Sequence, residues 1–110
     1  MTGTSNLPPA IAAFFDATNA RDTERFLAAF APDAVLDDWG RSFTGREGIA
    51  RWNDTDNIGK QSHFEVTGVL ETNGVHAVSI TVTGNGYNGG GTIAFSLDGE
   101  GRIARVDITG

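Results

Sequence analysis

The feature that most constrains this chain is the change of period in its second half. Across residues 63–71, Phe64, Val66, Gly68 and Leu70 fall on one side of an extended backbone. His63, Glu65, Thr67 and Val69 fall on the other. A period of two is the signature of a strand with one face buried. Asn73-Gly74 follows, and both residue types accept the positive φ that a two-residue hairpin turn demands. Val75–Thr83 is rich in β-branched residues, which suit a pleated surface. Residues 92–97 and 103–109 complete the series, joined by Asp98-Gly99-Glu100-Gly101. Four consecutive strands in a meander are expected.

The first half has a helical period instead. Pro8 and Pro9 suit a first helical turn, which has no use for their missing N–H groups. Ile11, Phe14, Phe15 and Thr18 then recur at helical spacing, with Asn19 as the stop. Asp22 caps a second, short helix whose buried stripe is Phe26, Leu27 and Phe30, and Pro32 ends it. Residues 35–38 read as a short strand. Thr44 and Glu47 form a T-x-x-E capping box. The helix it starts carries Ile49, Trp52 and Asn53 on one face, and residues 54–59 form a polar exit loop. Helices followed by hairpins give an α+β fold, the helices packed on one face of an antiparallel sheet. At 110 residues, one domain spanning 1–110 is expected, with residues 1–6 flexible.

Composition removes whole classes of function. The net charge of −6 argues against nucleic acid, whose phosphates call for clustered Lys and Arg, and against docking on anionic membranes. The chain has no cysteine, which excludes disulfides and thiolate chemistry. Its first residues carry neither a basic nor an apolar signal segment, so a cytoplasmic protein is expected. His63 and His76 show no ligand spacing, so neither a metal nor another cofactor is expected. Gly84-Asn85-Gly86-Tyr87-Asn88-Gly89 spells G-x-G-x-x-G. A dinucleotide site needs a helix to follow it, and a strand is expected there instead.

Chemistry is concentrated at Asp37-Asp38. Val35 and Leu36 make an apolar strand, and two acids end it. Burying either carboxylate costs several kcal/mol unless it is paired, hydrogen-bonded or protonated, so such a site is a functional candidate. Neighbours on a strand point to opposite faces, so one of the two acids is expected inside and the other in water.

Four phrases carry a resemblance. They are Asn19-Ala-Arg-Asp22, Phe30-Ala-Pro-Asp-Ala-Val35, Phe43-Thr-Gly-Arg-Glu-Gly-Ile49 and Asp98-Gly-Glu-Gly-Arg-Ile103. In this order the chain resembles the NTF2-like superfamily, in its SnoaL-like and ketosteroid-isomerase-like branch. The resemblance implies a cone-shaped, cystatin-like fold, in which three helices pack on a curved mixed or antiparallel sheet around an apolar pocket. It also implies frequent dimerisation, here a homodimer through the sheet. Ketosteroid isomerase uses an aspartate base with an oxyanion hole made of a tyrosine and a protonated aspartate. By the matching phrases Asp38 falls on the base position. Phe14 falls on the tyrosine, Ile93 near the protonated aspartate, and Asn53 near the tyrosine's partner. Steroid isomerisation by that mechanism therefore lacks both of its donors.

The resemblance makes Asp38 the candidate catalytic residue. Phe14, Phe30, Trp39, Trp52, Asn53 and Ile93 are the candidate substrate contacts, Trp39 as a lid and Asn53 as an amide donor. A small apolar or aromatic molecule is the expected partner. Three readings compete: an isomerase, cyclase or dehydratase with an aspartate acid/base, a binding module without chemistry, and a dimeric interaction domain.

Overall fold

A computed structural model describes residues 7–109 of the chain. Residues 1–6, expected above to be flexible, lie outside the described residues, as does Gly110. Helix α1 (Pro9–Ala20) has Pro9 in its first turn and buries Ile11, Phe14, Phe15 and Thr18. Asn19 does not stop it. Its side chain instead takes two backbone bonds at Phe64, accepting from N–H at 2.7 Å and donating to C=O at 2.9 Å. Those bonds pin α1 to the start of a strand. Asp22 caps α2 (Thr23–Ala28), accepting from the Arg25 N–H at 3.1 Å.

Strand β1 (Phe30–Asp38) starts five residues earlier than the sequence suggested. Pro32 lies inside it rather than ending a helix. It sits where pairing with the neighbouring strand is interrupted, between Phe30 and Val35, so its missing N–H breaks no ladder bond. Strand β2 (Arg41–Thr44) was not foreseen. It folds back on β1 through Trp39-Gly40, whose φ values of 54° and 87° are the two positive values of a type I′ turn. Thr44 is the N-cap of α3 (Gly45–Asp56), but its side chain makes no capping bond. The capping box therefore does not form. Thr44 is committed to the β2 ladder opposite Val35, and Gly45, at φ 71°, turns the chain into the helix.

A single 3₁₀ turn, Ile58–Lys60, leads to β3 (His63–Thr72), β4 (Val75–Thr83), β5 (Gly89–Leu97) and β6 (Ile103–Thr109). The six strands form one sheet in the order β2-β1-β6-β5-β4-β3. β1 and β6 run parallel and the other neighbours antiparallel, which makes the sheet mixed. Asn73 and Gly74, at φ 53° and 82°, make the expected tight turn. A bulge between Val66 and Gly68 shifts the β3 alternation by one residue. Leu70 consequently leaves the face of Phe64 and is 67% exposed, while Val69 comes opposite the buried Val78. This corrects the strict alternation expected along residues 63–71.

The helices cover one face of the sheet, and the buried side chains form one apolar cluster between the layers. Phe14 is its hub, with ring centroids 5.1 Å from each of Phe15, Phe26 and Phe95. Among the described residues no helix is long and apolar enough to cross a membrane.

Candidate functional site

The register decides which acid faces inward. Asp38 is opposite Ile108 on β6 and Arg41 on β2, on the inner face of the sheet. Asp37 is opposite Asp107, on the outer face. It serves the β1–β2 turn, accepting from the Gly40 N–H at 2.8 Å and the Ser42 hydroxyl at 3.3 Å.

Asp38 borders a cavity of about 310 Å³ between the inner sheet face and the C-terminal end of α3. Phe64, Ile80, Val82, Ile93 and Ile108 give its sheet wall, and Trp52 its helix wall. Gly90 and Gly91 also line it. Gly91 projects no side chain into the space beside Ile80, its partner on β4. Trp39 and Tyr87 stand at the rim, 68% and 66% exposed.

The carboxylate of Asp38 is held firmly. Its Oδ2 accepts from Trp52 Nε1 at 3.0 Å and from Arg41 Nη2 at 2.8 Å. Charge-assisted bonds of this kind are roughly twice as strong as neutral ones. Among the described residues no donor reaches Oδ1, which leaves that oxygen available to a bound molecule. Arg41 also reaches Asp56 Oδ1 at 3.2 Å, so one guanidinium bridges two carboxylates at the cavity edge. Its hydrogen bonds to Asp56 and then Asp38 raise its pKa above the usual arginine value, and it stays charged. The arrangement is a carboxylate in a mostly apolar recess with a fixed cation beside it, which is competent for moving a proton and meeting the charge that results.

The candidate contacts divide. Asp38, Trp39, Trp52 and Ile93 line the cavity together. Phe14 and Phe30 are fully buried in the aromatic core and do not line it, because the packing of α1 and α2 closes over their rings. Asn53 is also fully buried and outside the lining. Its Oδ1 accepts from Asn57 Nδ2 at 3.0 Å and from the Ile58 N–H at 3.4 Å. The cavity residue is Asn57, one turn further on.

Sequence reasoning missed Arg41, Asp56 and Asn57. Arg41 was hidden because β2 was not recognised, although it lies three residues after Asp38. Asp56 and Asn57 read as part of a polar exit loop in the sequence, and in the structure they are the last turn of α3 and its C-cap. Their i, i+4 spacing from Trp52 and Asn53 carried the signal.

Residues 11–106 match the family model described as a SnoaL-like domain. No curated protein matches the chain. Among solved structures, a Sinorhizobium meliloti protein provisionally called a polyketide cyclase is 29% identical. It aligns over 98% of this chain and 100% of its own, with a TM-score of 0.88. A Kribbella flavida protein provisionally called a ketosteroid isomerase is 24% identical over 92% of this chain and 74% of its own, at a TM-score of 0.77. A Mycobacterium tuberculosis protein, solved in complex with estradiol-17β-hemisuccinate, is 16% identical. The overlap is 91% of this chain and 89% of the other, at a TM-score of 0.80. At their identities the last two show a shared fold.

Proposed function

The chain belongs to the SnoaL-like domain family, and from that premise we propose that it is a proton-transfer enzyme acting on a small apolar molecule. Asp38 is its general acid/base, and the reaction is an isomerisation, cyclisation or dehydration. The observation that carries this reading is the Asp38 carboxylate at the cavity edge, with Trp52 and Arg41 both on Oδ2 and Oδ1 left for substrate. The apolar wall from Phe64 to Ile108 fits a hydrocarbon skeleton. The names carried by the Sinorhizobium and Kribbella proteins lie in the same range of chemistry. In the proposed step, Asp38 Oδ1 takes a proton from the carbon next to a carbonyl. The positive charge of Arg41 stabilises the enolate, and the proton returns at another position. Trp39 and Tyr87 shield the bound molecule from water.

A second reading, a ligand-binding module without turnover, draws on Ile93, which lines the cavity without a polar side-chain atom to meet an oxyanion. Tryptophan fluorescence separates the two. Apolar ketones are titrated against the emission of Trp39 and Trp52, and the bound fraction is then recovered. Saturable quenching with a chemically changed ligand supports the enzyme. Saturable quenching with an unchanged ligand supports the module.

The homodimer is also proposed to use the outer sheet face, where Leu70 and Val75 are exposed. Leu70→Glu should convert a dimer to a monomer in light scattering. A wild type that is already monomeric refutes this arrangement.

A further inference from the structure

Against 14 acidic residues the chain carries a single lysine, Lys60, and that lysine lines the cavity. It ends the 3₁₀ turn Ile58–Lys60. Its N–H donates to the Asn57 carbonyl at 3.0 Å, and its carbonyl accepts from the Asn85 N–H at 2.8 Å. The second bond ties it to the loop between β4 and β5, whose Gly86 and Tyr87 also line the cavity. The stem of the side chain is held against the same loop. A Cβ on Gly86 would lie 3.4 Å from Lys60 Cβ and Cγ and 3.9 Å from Cδ, so three carbons of the stem run along the bare backbone of Gly86. Only Cε and Nζ are left to turn, and the ammonium stays at the cavity mouth whichever way they do.

Lys60 is exposed, and an ammonium in water needs no protein partner. Its charge setting is what singles it out. The other charged residues lining the cavity are Asp38, Arg41 and Asp56. They form a closed set, with Arg41 between the two carboxylates. Among the described residues no ion pair includes Lys60. Two acids and one arginine leave a net negative charge that repels an anion, and Lys60 cancels it. A lysine ammonium is a compact charge with three rotatable donors on a flexible stem. It suits a carboxylate whose position is set by the rest of the bound molecule.

We infer that Lys60 is the anion contact of the cavity, and that the molecule bound there is an apolar carboxylic acid in its ionised form. This deepens the reading above and rests on it, since it takes the same cavity as the ligand site. The substrate class becomes an apolar keto acid, with its carboxylate on Lys60 and its reacting carbon near Asp38 Oδ1.

The test uses 2-naphthoate and 2-naphthamide, which share a skeleton and nearly a shape and differ in charge. Each is titrated by calorimetry into wild type and Lys60→Met at neutral pH and low salt. Methionine keeps an unbranched stem without the charge, and an exposed position tolerates the change. In wild type the naphthoate should bind about fivefold more tightly than the amide, the upper range for an ion pair open to water. In Lys60→Met that preference should vanish or reverse, with naphthamide affinity within about twofold of wild type. A second readout locates the contact. Reductive methylation with isotope-labelled formaldehyde keeps the charge and tags Lys60 together with the N-terminal amine, and the Lys60 carbon signal should move as naphthoate binds. Equal affinities of the two probes in wild type overturn the inference and leave the proposed function standing. A naphthoate preference that survives in Lys60→Met also overturns it, and would assign the carboxylate to Arg41. So does a Lys60 signal that stays unmoved at saturating naphthoate. Failure of both probes to bind overturns the ligand site itself and the proposed function with it.

Discussion

Removing the indole N–H that orients Asp38, without removing the ring, isolates the contact on which the site depends. Trp52→Phe keeps an aromatic group facing Phe14 and Phe26, whose centroids lie 6.3 Å away in each case. It deletes the 3.0 Å bond to Asp38 Oδ2. A hydrogen bond to a charged group contributes about 1.5–3 kcal/mol. Asp38 keeps Arg41 and its side chain is 15% exposed, so water can replace part of the loss and the low end, about 1.5 kcal/mol, applies. The smaller ring leaves a void worth about 1 kcal/mol more. A total near 2.5 kcal/mol lowers Tm by roughly 10 °C in a chain of this size. A double-mutant cycle with Asp38→Asn, read from urea unfolding at neutral pH, isolates the pair. The amide still accepts from the indole, but as a neutral group, so a coupling of about 1 kcal/mol is expected. Additivity within about 0.3 kcal/mol would refute the reasoning, because contacts that matter do not add.

Other consequences follow from the same geometry. Phe14→Leu should cost about 2 kcal/mol of stability in urea unfolding, since the ring is fully buried. Its ligand affinity should change less than twofold, because Phe14 does not line the cavity. A large affinity loss would return Phe14 to the site. Gly59→Ala should lower Tm by roughly 10 °C, because a Cβ there would fall 1.6 Å from the Asp54 carbonyl oxygen. An unchanged melting curve would show that the 3₁₀ turn is not built as described. Asp98 accepts from the backbone N–H of Arg102 and of Glu100. The Arg102 bond leads in holding its carboxyl below the ordinary 3.8. A lowered native pKa adds stability above the unfolded value, and the gain is lost as pH falls through the native one. Asp98→Asn should therefore be less stable than wild type at neutral pH, and the gap should close in acid below pH 3.8. A gap that is constant with pH would contradict this.

The sequence was legible where one local rule acted alone. The β3–β4 hairpin followed from Asn73-Gly74, and the opposed faces of Asp37 and Asp38 followed from strand period. It was illegible where tertiary pairing overrode a local signal. Pro32 looked like a helix terminator because its tolerance inside β1 depends on an interruption against β6, whose first residue is Ile103. Leu70 looked like a core residue because one bulge near Gly68 is invisible in the alternation itself. At the site, family likeness drew attention to Phe14 and Asn53. The residues that complete the cavity there, Arg41, Asp56 and Asn57, come together only once β2 folds back and α3 runs to its last turn. Neither apolar periodicity nor a short motif can report that Arg41 bridges two carboxylates, since the bridge joins the start of β2 to a helix end fifteen residues away.

The central claim is that Asp38 moves a proton. It is tested most directly by solvent deuterium exchange into a bound apolar ketone, followed by mass spectrometry with wild type and Asp38→Asn side by side. Exchange needs only the first half of the proposed reaction, so it does not depend on knowing the product. Catalysed exchange is expected in wild type and a loss of at least about a hundredfold in the variant, with ketone affinity within about threefold of wild type. Exchange at the wild-type rate in Asp38→Asn, with the ketone still bound, would contradict it.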